Sequence, residues 1–118
     1  MEQLTPQEEQ LMRYVWSFGQ GCVKDYREMY SEPKPPYTTL ASIVKKLEAK
    51  GFLSSVMKGN TYEYCPKIKQ DKYKSRHLSN VVSNYFQNSY KEMVCFFAKE
   101  EKLSERDLEE IIQLIKKQ

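Results

Sequence analysis

Residues 36–65, PYTTLASIVKKLEAKGFLSSVMKGNTYEYC, read as one basic helix followed at once by a two-stranded hairpin. Leu40, Ile43, Val44 and Leu47 fall at i, i+3, i+4 and i+7, the spacing of a single buried helix face. At about 100° per residue, the opposite face carries Thr38, Ser42, Lys45, Lys46 and Ala49, with no carboxylate among them. Lys50-Gly51 stops the helix, because glycine accepts the left-handed conformation a helix C-terminus often needs. Two loosely alternating runs, Phe52 to Lys58 and Thr61 to Cys65, then flank the turn signal Gly59-Asn60. A helix with a smooth polar face, followed by a β-wing, suits insertion into the major groove of DNA. The plainer reading is an ordinary amphipathic helix beside a hairpin.

Upstream, Thr5-Pro6-Gln7-Glu8 has the form of a helix start: a capping threonine, proline at the first helical position, and a glutamate to complete a capping box. Leu11, Met12, Val15 and Trp16 give that helix its apolar face, and Gly19 and Gly21 end it. A short second helix is expected over 23–30, stopped by Pro33, Pro35 and Pro36. The linker SEPKPP is stiff, since proline fixes φ, and so sets the angle to the basic helix. Helix, helix, turn, helix, hairpin is the winged form of the helix-turn-helix.

The chain changes character near Pro66. Lys67, Lys69, Lys72, Lys74 and Arg76 form a basic lead-in to a long helix bearing Leu78, Val81, Val82, Tyr85 and Phe86. A further helix is expected from Tyr90 to Lys99. A last one opens on Ser104-Glu105-Arg106-Asp107 and carries Leu108, Ile111, Ile112 and Ile115 as its stripe. The expected fold is therefore mostly α with a small β-wing: a winged helix-turn-helix over 1–70 and a three-helix region over 71–118. So small a helical unit cannot cover all its large apolar groups alone. A second copy would cover them, and twofold dimers are the commonest oligomers. Leu78, Val82, Tyr85, Phe86, Phe96, Phe97, Leu108, Ile111, Ile112 and Ile115 are the expected homodimer interface. The alternative is that these helices fold back on the winged domain of their own chain.

Charge is unevenly placed. Residues 1–33 hold 3 basic and 6 acidic side chains, residues 34–76 hold 10 and 3, and residues 77–118 hold 6 and 7. The excess of positive charge sits on the expected reading helix, the wing and the start of the next helix, which points to nucleic-acid phosphates. Tyr37, Thr38, Thr39, Ser42, Lys45, Lys46, Lys58 and Asn60 are the expected DNA-binding residues. Ser42 and Thr38 are small enough to approach base edges; Lys46 and Lys58 reach for phosphates.

Other chemistries find little support. Cys22, Cys65 and Cys95 are far apart, without the paired spacing of a zinc site, and an odd count fits thiols in a reducing interior. His77 is the lone histidine, and no phosphate-cradling or nucleophile motif is present. No enzyme activity, metal or cofactor is expected. The acidic, polar opening MEQLTPQEEQ is no signal peptide and no run approaches the roughly 20 apolar residues of a membrane span, so the expected location is cytoplasmic.

The order of these features resembles the penicillinase-repressor family (BlaI/MecI type). LTPQEEQLMRYVW (4–16) is similar to its opening helix. TTLASIVKKLEAKGFL (38–53), with its Leu-x-x-Lys-Gly ending, is similar to its recognition helix. YEYCP (62–66) is similar to its second wing strand, and VCFFAKEEKLSERDLEEIIQLIKK (94–117) to its dimerisation segment. The resemblance implies a homodimeric repressor on a palindromic double-stranded DNA operator, controlling a resistance gene. It also implies release when a membrane sensor-protease system answers a β-lactam and the dimerisation region is cut. By position, Thr38, Thr39, Ser42 and Lys46 would read DNA, and the cut would fall near Phe96-Phe97. Phe96 stands where several relatives have asparagine, and Ala41 where some carry a longer polar residue. The C-terminal cysteine cluster of copper-responsive relatives is absent. The competing reading is a protein-interaction module built on the same fold; the exposed helix face, with Thr38, Ser42 and Lys45, offers poor anchors for it. A small-molecule sensor with a pocket among the nine tyrosines is a third reading.

Overall fold

A computed structural model describes residues 3–118. Helices α1 (Pro6–Phe18), α2 (Val23–Glu28) and α3 (Tyr37–Ala49) are followed by strands β1 (Leu53–Lys58) and β2 (Thr61–Pro66). Helices α4 (Gln70–Phe86), α5 (Tyr90–Lys99) and α6 (Glu105–Lys116) complete the chain. It is mostly helical, with a two-stranded antiparallel wing, as the sequence leads one to expect. The chain divides into two compact units, Met1–Ser75 and Arg76–Gln118.

The first unit is built around the stripe read from the sequence. Leu40, Ile43, Val44 and Leu47 of α3 are buried against Leu11, Met12 and Val15 of α1 and Val23 and Tyr26 of α2. Thr5 caps α1: its hydroxyl accepts from the Glu8 N–H at 3.2 Å, while the Thr5 N–H donates to Glu8 Oε1 at 2.9 Å. The second helix ends at Glu28, short of the expected Tyr30. Beyond it, the Lys34 ammonium donates to the carbonyls of Glu28 (3.0 Å) and Tyr30 (2.6 Å), so the linker's own lysine satisfies the helix end.

The wing pairs Leu53 with Pro66 through Lys58 with Thr61. Its base is tied into the domain by a backbone bridge between Gly21 and Tyr64, 3.1 Å in one direction and 2.7 Å in the other. A Cβ on Gly21 would lie 2.8 Å from Phe18 Cε1 and 2.9 Å from Asp25 Oδ2, so a larger residue there would displace those two side chains. The expected lead-in over 67–76 is instead helical from Gln70, and Tyr73 within it joins the core. The Tyr73 ring packs 5.8 Å from Phe52 and 5.5 Å from Trp16, its hydroxyl donates to Glu9 at 2.8 Å, and the Trp16 indole N–H donates to the Ile68 carbonyl at 2.8 Å. The sequence pattern hid this because the surrounding lysines face solvent.

In the second unit, Val82 is the one buried apolar side chain among the described residues. Gln87 and Asn88, both at positive φ, make the tight turn into α5, whose cap is Ser89. Ser104 and Asp107 form the capping box of α6, and the Ser104 N–H and hydroxyl hold the Asp107 carboxyl below its usual range.

Candidate nucleic-acid interface

The polar face of α3 is open along its length. Thr38, Thr39, Ser42, Lys45 and Lys46 are exposed, and Tyr37 is half exposed at the first helical position. No side chain caps α3 and no acid sits in its first turn, so the positive end of its dipole is unopposed there. Its approach is fixed by the Arg27 side chain, which donates to the Pro35 carbonyl at 2.8 Å. Its far end is fixed by Lys50, whose ammonium lies 2.6 Å from Glu8 Oε1. Burial pushes the Glu8 carboxyl up, but Lys50 and Thr5 outweigh it and hold its pKa below the ordinary value.

Not all the positive charge counted in the sequence faces outward. Lys34 caps α2 and Lys50 pairs with Glu8, so both serve the fold. Lys58 lies 3.0 Å from Glu63 Oε2, an ion pair off hydrogen-bonding alignment, so the wing-tip charge is shared within the hairpin. Lys45, Lys46, Lys67, Lys69, Lys72, Lys74 and Arg76 remain exposed.

Strand alternation gives the wing two faces. Ser55, Met57, Tyr62 and Tyr64 share one; Val56, Lys58, Thr61 and Glu63 share the other. The base is tied down: the buried Tyr26 hydroxyl reaches the carbonyls of Gly19 (2.9 Å) and Tyr64 (3.2 Å), and burial pushes its pKa far up. The Ser55 hydroxyl donates to Glu48 of α3 at 2.5 Å. Between helix and wing lies a cleft of about 270 Å³ lined by Val23, Tyr37, Ala41, Lys45, Asn60, Thr61, Tyr62 and Tyr64. It brings together Tyr37, Lys45 and Asn60 of the expected residues. It leaves Thr38, Ser42 and Lys46 on the outer face of α3. Sequence reading did not expect Val23, Thr61, Tyr62 or Tyr64 as site residues, and noted Ala41 only as a departure from relatives.

A model of the penicillinase repressor family matches residues 4–117. The chain belongs to that family. Penicillinase repressors are DNA-binding winged-helix transcriptional regulators and not enzymes, in agreement with the resemblance read from the sequence. Among solved structures the chain is similar to a MarR family protein from Bacillus stearothermophilus, with 20% identity and a TM-score of 0.49. That match covers 98% of this chain and 77% of the other. No curated protein matches. Among the described residues, no helix is long and apolar enough to cross a membrane and no cluster of acidic, histidine or cysteine side chains is arranged to hold a metal.

Proposed function

We propose that this penicillinase-repressor family member acts in the cytoplasm as a homodimer on a palindromic operator of a β-lactam-resistance-type operon. Inactivation of its dimerisation region, residues 71–118, releases it. The observation that carries the reading is the exposed apolar surface of the second unit. Phe96, Phe97, Ile111 and Ile112 are 39–48% exposed, and Leu78, Tyr85, Leu114 and Ile115 more so. Patches of this kind mark association sites. Tyr85, Phe86, Leu108 and the α6 isoleucines are accessible or partly so. Val82 is already buried in the single chain, which removes it from the surface available to a partner. Leu114, absent from the sequence-based set, joins it at 64% exposure.

Two such subunits would place their α3 helices in successive major grooves, about 34–36 Å apart. A cut near Phe96-Phe97 lies inside α5. A protease needs extended backbone, so cleavage requires α5 to open locally first. The sensor-protease system belongs to this reading because severing α6 from the chain would remove the isoleucine stripe. The test is titration of the full chain with the promoter duplex of its own operon, alongside sedimentation. One dimer per palindrome, with binding lost on excision of α6, is the expected result. A monomer that binds the full palindrome tightly overturns it.

A further inference from the structure

The turn between α2 and α3 is tied by two side chains. Residues 31–36, SEPKPP, hold three prolines, and a proline has no N–H to offer the free carbonyls at a helix end. Lys34 supplies the missing donor: its ammonium lies 2.6 Å from the Tyr30 carbonyl, 3.0 Å from that of Glu28 and 3.5 Å from that of Arg27. In the opposite direction, Arg27 of α2 donates through Nε to the Pro35 carbonyl at 2.8 Å. The two half-buried cations thus cross the turn. One runs from the linker back to α2; the other runs from α2 forward to the residue before Pro36, the N-cap of α3. Packing does not hold the first turn of α3, because it begins at Leu40. Tyr37, Thr38 and Thr39 are exposed, and no side chain caps the helix. Lys50 and Glu8 fix only the far end. Yet the N-terminal residues of a recognition helix are the ones that reach base edges, and a binding constellation tolerates displacements of only about 0.5 Å.

We propose that Arg27 and Lys34 are positioning residues for sequence recognition: as a crossed clamp they set the entry of α3, so that Thr38 and Ser42 meet base edges, without touching DNA themselves. The inference rests on the operator reading above and deepens it, by naming what holds the reading end. Hydrogen bonds from a charged donor are stronger than neutral ones, and the planar guanidinium gives Arg27 Nε one fixed direction. Proline then passes the constraint on: with φ fixed at Pro35 and Pro36, holding the Pro35 carbonyl also aims the first turn of α3. Lys34 approaches the carbonyl of Arg27 itself, so the two cations act as one unit, and loosening either frees the same backbone.

The test uses the full-length chain, a duplex recovered by selection from random sequence, and a scrambled duplex of the same length. Arg27→Met keeps the length of the stem and replaces Nε by an apolar carbon. It should lower the preference for the selected over the scrambled duplex about tenfold, the effect of one lost base contact. Affinity for the scrambled duplex and the salt slope should stay at the parent's values, since no phosphate contact is lost. Lys34→Met should do the same, and the double variant should lose no more preference than either single one. Arg27→Lys, whose ammonium can still reach the Pro35 carbonyl, should recover most of the preference. If Arg27→Met instead weakens both duplexes equally and lowers the salt slope by about 1, Arg27 is a phosphate contact and the clamp is overturned. A lower urea midpoint with the parent's preference intact also overturns it, because the two cations then serve stability alone. So do losses at Arg27 and Lys34 that simply add. If selection enriches no sequence, the operator reading itself fails; enrichment with an unchanged preference in Arg27→Met sinks the clamp alone.

Discussion

A carboxylate only 3% exposed must be held by fixed partners, and Glu8 has the Thr5 N–H and the Lys50 ammonium. Lys50→Met would strand it, at a cost on the order of 3 kcal/mol. Because the folded pKa lies below the ordinary 4.5, the pair's contribution is complete above that value and is lost as pH falls through the lower folded value. Urea unfolding of parent and Glu8→Gln should differ at pH 7 and converge at strongly acid pH. A constant difference would show that the charge is irrelevant. At the proposed reading face, Thr38→Ala or Ser42→Ala should change preference among operator variants by about 1–3 kcal/mol at a contacted base pair. Lys58→Ala should instead weaken all sequences equally. Because Glu63 already shares its charge, the salt slope should fall by no more than about 1. Identical profiles for Ser42→Ala and Lys58→Ala across an operator library would refute this division.

Elements whose two faces differ strongly were legible in the sequence. The α3 stripe, the capping box at Thr5, the Ser104 cap and the Gly59-Asn60 turn each follow from a local rule, and each is present. The start of α4 was not legible, because a single buried Tyr73 among Lys67, Lys69, Lys72 and Lys74 carries no periodicity. Nor was the cleft: Ala41 and Tyr62 are 21 positions apart and are brought to one lining only by the packed fold. The consequence for truncating the chain is specific. A fragment ending at residue 70 removes Tyr73 from Phe52 and Trp16. Such a loss should cost roughly 3–5 kcal/mol, as for other aromatic truncations in a core. A fragment ending at residue 80 should therefore unfold cooperatively at higher urea than one ending at 70. Equal midpoints would mean that Tyr73 does not hold the winged unit together.

For the molecule as a whole, the proposed dimer links apolar exposure in one unit to DNA affinity in the other. Ile112 is 48% exposed in the single chain, so Ile112→Asp should leave the subunit folded while placing a charge in a desolvated interface. Sedimentation should then report monomers, and affinity for the full palindrome should collapse toward that for one half-site. A monomeric Ile112→Asp that binds like the parent would separate dimerisation from operator recognition. The contact of the sole tryptophan with the start of α4 has an optical consequence. Trp16 is pinned by its hydrogen bond to Ile68 and by the Tyr73 ring, so its emission reports on whether that helix is docked. Detachment of α4 should shift the fluorescence to the red before the helical circular dichroism is lost. The chain thus carries an intrinsic, label-free gauge of that seam, readable during DNA binding or proteolysis.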